Sequence, residues 1–108
     1  KKEIAAIDSE AARFLTQVLT RFSENYKRSK GFDEPPVHDP CAVAYVIDPT
    51  VMQTRKAIVH VECWGRYSSG MTVTDLRRPA PEDCHTSVAV KLDQARFWNL
   101  ITDAVKAL

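Results

Sequence analysis

The stretch Pro35-Pro36-Val37-His38-Asp39-Pro40-Cys41-Ala42-Val43-Ala44-Tyr45 constrains this chain more than any other. Pro35 and Pro36 each push the preceding residue out of helical geometry, so the approach is stiff. Asp39 is a good N-cap and Pro40 a good first helical residue, which predicts a helix from about Asp39 to Ile47. Asp48-Pro49 ends it. Residues Ala42 to Ile47 are apolar nearly all round, the pattern of a buried helix. His38 and Asp39 are therefore predicted in one fixed orientation at a helix N-terminus. Histidine is the side-chain type that changes charge near neutral pH, and carboxylate is a hard oxygen ligand. Residue types alone still favour a simpler reading, a histidine hydrogen-bonded in a tight turn beside a capping aspartate.

Upstream, Ala11, Phe14, Leu15, Val18, Phe22 and Tyr26 recur at three- and four-residue spacing. They predict a long amphipathic helix over residues 9–29, with Ser9 as N-cap and Gly31 as its stop. Lys2 to Ile7 reads as a separate helical turn. Downstream, Ala57 to Cys63 is β-branched and alternating, and Met71 to Asp75 forms a second strand. Gly65 and Ser68-Ser69-Gly70 mark the turn of a hairpin between them. Leu76 to Cys84 is a loop, Ser87 to Leu92 a third strand, and Asp93 caps a last helix with Phe97, Leu100, Ile101, Ala104 and Leu108 on one face.

A chain of 108 residues holds one domain or less, and its 44% hydrophobic share suits a globular protein. The formal charge of +1 gives no electrostatic case for nucleic acid or an anionic membrane. Lys27, Arg28 and Lys30 read as a solvated helix end. Cys41, Cys63 and Cys84 are odd in number and lack close pair spacing, so they read as reduced thiols of a cytoplasmic protein. His60 and His85 fit no zinc spacing. The predicted elements do not close a core by themselves. The helix after Asp39 and the Phe22/Tyr26 face both expect neighbours from elsewhere.

The run from Val37 to Pro49, with Gly70-Met71-Thr72-Val73-Thr74-Asp75 and Val88-Ala89-Val90-Lys91-Leu92-Asp93, closely resembles the C-terminal portion of the inosine-uridine-preferring nucleoside hydrolases. The resemblance implies an α/β chain, the C-terminal segment of a Rossmann-like nucleoside hydrolase fold, with helices plus a β-hairpin and a further strand. It further implies that residues 1–108 lack the aspartate-rich N-terminal metal-binding part, so this segment alone should be inactive.

Activity and site roles also follow only from the resemblance. The full-length parent would hydrolyse ribonucleosides to base and ribose in purine and pyrimidine salvage, as a dimer or tetramer. Asp39 matches a ligand of a calcium ion (Ca2+), and His38 matches the histidine that protonates the departing base. Tyr26 falls where a mobile helix brings an aromatic hydroxyl over the base. Phe22 is the outer substrate-binding candidate, at a position where a tyrosine occurs in related enzymes, and Lys30 stands where an arginine occurs. The core face of an amphipathic helix accounts for Tyr26 as well as base contact does, and for Phe22 better.

Two other classes compete. Metal-dependent phosphohydrolases with a His-Asp pair need further histidines around it, and none precedes His38. A non-catalytic assembly fragment is the remaining alternative, with the hairpin bearing Trp64 and Tyr67 as its contact surface.

Overall fold

The computed structural model describes residues 2–108. It divides into two units, one running up to Val51 and including Asp93–Leu108, the other Met52–Leu92.

In the first unit, α1 (Lys2–Ala5) is the short turn expected before the long helix, α2 (Glu10–Lys30). Ser9 caps α2, its hydroxyl accepting the Ala12 N–H at 3.1 Å. Gly31 closes the helix in the left-handed region at φ 75°, donating its N–H to the Lys27 carbonyl. Glycine adopts that backbone without the Cβ clash other residues meet. α4 (Gln94–Lys106) starts at Asp93, which accepts the Arg96 N–H. Ile4, Ala12 and Val105 form the centre of the packing among α1, α2 and α4, surrounded by Ile7, Leu15, Leu19, Trp98 and Ile101. The buried face of α4 thus carries Phe97, Thr102 and Val105, rotated from the expected stripe, while Ala104 and Leu108 are exposed. Trp98, set edge-on to Phe97, is the larger residue that wins the inward position.

α3 (His38–Ile47) begins one residue earlier than expected and ends at Asp48 as expected. Asp48 accepts hydrogen bonds from the Thr50 N–H and hydroxyl, and these hold its carboxyl below the usual carboxylate range. Arg96 on α4 reaches both the Thr50 hydroxyl and Asp48, and the Asp93 N–H donates to the Val51 carbonyl at 2.8 Å. A 3₁₀ turn at Pro49–Val51 therefore ties the end of α3 to the start of α4, with Val51 and Phe97 fully buried. The expectation of a wholly buried α3 fails within this chain. Only Ala44 is buried, and Val46 is 82% exposed. A helix apolar on all sides finds one neighbouring surface here, so its remaining faces stay open.

In the second unit, β1 (Met52–Lys56) pairs antiparallel with β4 (Ser87–Leu92), and β2 (Ile58–Val61) with β3 (Thr72–Asp75). The expected hairpin and the strand at Ser87–Leu92 are both present. β1 is an addition: Met-Gln-Thr-Arg-Lys lacks an alternating apolar face, and its backbone finds order only by pairing with β4. At the hairpin turn the Glu62 carboxylate accepts the N–H groups of Trp64 and Gly65, while Gly70 takes φ 86°.

Candidate active site

His38 is the first residue of α3 and Asp39 the second, and both side chains are exposed. The expectation that Asp39 is the N-cap is therefore corrected. The N-cap position belongs to Val37, whose side chain makes no capping bond. The shift costs no helical hydrogen bond, because Pro40 then occupies the third helical position, where a backbone N–H has no helical acceptor in any case. The Val37 carbonyl accepts the Cys41 thiol at 3.2 Å. Asp39 lies in the first turn of α3, at the positive end of the helix dipole. Neither the His38 imidazole nor the Asp39 carboxylate makes a hydrogen bond or ion pair among the described residues. The two residues are consecutive in the helix and uncommitted.

Tyr26 and Phe22 sit one turn apart on α2, their ring centroids 5.1 Å apart at 55°. Tyr26 is half-buried, and Phe22 is 37% exposed. A third ring joins them from the loop. Phe32 lies 6.3 Å from Tyr26 at 35°, so the three side chains form a row over the end of α2. Phe32 was not singled out in the sequence, although the signal is there. An apolar residue directly after a helix-stopping glycine commonly folds back onto the last turn. Next to it, Asp33 pairs with Lys27 at 2.7 Å, which lowers the carboxyl's proton affinity and raises that of the amine. No ring contact or hydrogen bond joins this row to His38 or Asp39 among the described residues.

The donor set for a metal is incomplete. No group of three histidine, cysteine or acidic side chains is gathered among the described residues. A lone carboxylate such as Asp39 can give a cation one or two oxygens, against the roughly six to eight that calcium takes. A complete calcium site is not contained in these residues. The three cysteines are free thiols. His60 stands opposite Val73 in the β2–β3 ladder, away from any ligand cluster. Trp64 and Tyr67 are almost fully exposed at the hairpin turn, where Arg66 lies over the Tyr67 ring. No helix among the described residues is long and apolar enough to cross a membrane.

Solved nucleoside hydrolases share this fold over nearly the whole chain. A purine-preferring ribonucleoside hydrolase from Gardnerella vaginalis superimposes with a TM-score of 0.75 at 27% identity, over 99% of this chain and 35% of that one. The fold is thus a segment of the nucleoside hydrolase α/β fold.

The sequence places it more narrowly. The pattern of the family described as inosine-uridine preferring nucleoside hydrolase matches residues 1–99, and the chain belongs to that family. Inosine-uridine preferring nucleoside hydrolases of Crithidia fasciculata and Leishmania major are each 44% identical, over 99% and 100% of this chain. The chain spans about a third of their length, 34% of each.

Proposed function

We propose that this chain is the C-terminal part of a calcium-dependent ribonucleoside hydrolase that splits the N-glycosidic bond to give free base and ribose. The observation that carries the reading is the uncommitted His38-Asp39 pair at the head of α3, in a chain that belongs to the family. Cleaving this bond makes the ribose oxocarbenium-like while electron density moves onto the departing base. His38, free of internal partners, donates a proton to a ring nitrogen of that base as the C–N bond breaks. Proton donation of this kind contributes roughly 10²–10⁴-fold to rate.

Asp39 would be one ligand of the calcium ion, the others coming from parts of the parent outside this segment. When bound, the ion supplies charge that orients the ribose hydroxyls and acidifies the attacking water. Tyr26 presents its hydroxyl to the base, with Phe22 at the outer edge of the contact. The segment by itself holds half a site and is inactive. The parent acts in base salvage in the cytoplasm, in line with three free thiols, and assembles as a dimer or tetramer. The hairpin with its exposed Trp64 and Tyr67 offers a surface for contact between subunits of that oligomer.

The test is a comparison of leaving groups in the parent. His38→Ala lowers kcat for inosine by roughly 10²-fold or more. It leaves a riboside with an activated, acidic leaving group nearly untouched. Equal loss on both substrates removes His38 from the role of acid.

A further inference from the structure

The end of α2 carries two contacts that cross the same glycine turn. Gly31 reverses the chain at φ 75°. Phe32 then lays its ring 6.3 Å from Tyr26, and Asp33 sets its carboxylate 2.7 Å from the Lys27 ammonium. One contact is apolar, the other ionic, and they bind neighbouring residues of the helix to neighbouring residues of the loop. Tyr26 is consequently held between Phe22 on one side and Phe32 on the other. Phe32 is 55% exposed, so burying it in the core is not what places it there.

We infer that Phe32 and the Lys27–Asp33 pair are a clasp that positions the Tyr26 ring, making Phe32 a positioning residue for base recognition. The inference rests on the proposed contact of Tyr26 with the base. A tyrosine on a helix end rotates among its side-chain rotamers unless packing selects one. Two flanking rings restrict that choice, and a ring already held in one rotamer loses less entropy on binding. The ionic half of the clasp is exposed on both sides, so it is screened by salt, while the ring contact is not. The clasp therefore loosens in part, but does not open, as ionic strength rises.

The experiment uses the full-length parent and two readouts. The first is steady-state kinetics on inosine with Phe32→Ala, Phe32→Tyr, Tyr26→Ala and the double variant. Phe32→Ala raises KM roughly two- to tenfold, the span of one aromatic pair, with little change in kcat. Phe32→Tyr, which keeps the ring, restores it. In the Tyr26→Ala background Phe32→Ala adds nothing further. The second is the NMR signal of the Tyr26 ring, assigned by its loss in Tyr26→Ala. Phe32→Ala shifts that signal.

An additive loss in the double variant, or an unmoved Tyr26 signal, overturns the clasp. An unchanged KM in Tyr26→Ala overturns the base contact itself, and with it any role of Phe32 in base recognition. The NMR readout then shows separately whether Phe32 holds the ring.

Discussion

The rings of Phe22 and Tyr26 lie 5.1 Å apart and tilted by 55°, one turn from each other on α2. The pair puts a phenol and a plain phenyl on the same helical face, so the two positions differ by one hydroxyl. Phe22→Tyr adds that hydroxyl at a half-open position, where no buried neighbour has to move. In the full-length parent it should lower KM for inosine by roughly two- to tenfold, the worth of one added hydrogen bond. Thermal stability should stay the same. A KM that does not move places Phe22 outside the reach of the base.

Asp75 and Arg77 close the end of the hairpin. The Arg77 guanidinium donates to both carboxylate oxygens, at 2.9 and 2.7 Å, and its backbone N–H adds a third bond at 3.1 Å. These bonds hold the Asp75 carboxyl well below the usual carboxylate range. The folded value lies below the unfolded one, so the ionised carboxylate supports the hairpin at all pH values above about 4 to 5. That support fades as pH falls through the acid range. Replacing the guanidinium in Arg77→Gln should bring the titration of Asp75, followed by its carboxyl carbon signal, up toward the usual range. An unshifted midpoint would mean that Arg77 does not hold the carboxylate in solution.

The end of α2 depends on one glycine. Nothing lies within 4 Å of a side chain at position 31, so Gly31→Ala introduces no clash with neighbours. Its whole cost is the left-handed backbone, about 1 kcal/mol. Gly31→Asn should cost less, because asparagine tolerates that region better than alanine. Denaturant midpoints of the two variants, compared with the parent, check the order. Equal losses would point to another cause.

Most of this fold was legible because short-range chemistry decides it. Ser9 and Asp93 cap helices, Gly31 stops one, and Asp48-Pro49 ends another, each through a bond or clash within a few residues. What the sequence hid depends on distant partners. β1 has no pattern of its own and is fixed by β4. The inward face of α4 turns on whether Trp98 or Ala104 wins the space beside Ile4 and Ala12. Asp39 reads as a cap by residue type, but the helix begins one residue earlier and leaves the carboxylate uncommitted. The helix after Asp39 and the Phe22/Tyr26 face read as surfaces in need of neighbours; most of α3 and Phe22 are exposed, Tyr26 is half-buried, and Phe14 and Val18 are exposed as well.

Release of ribose from inosine and uridine, measured with and without Ca2+, tests the hydrolase reading most directly. The full-length parent is compared with the 108-residue chain and with the parent carrying Asp39→Asn. The expected result is calcium-dependent release by the parent, none by the isolated chain, and a calcium requirement raised at least tenfold in Asp39→Asn, about 1.4 kcal/mol. No release by the parent on either nucleoside would contradict it.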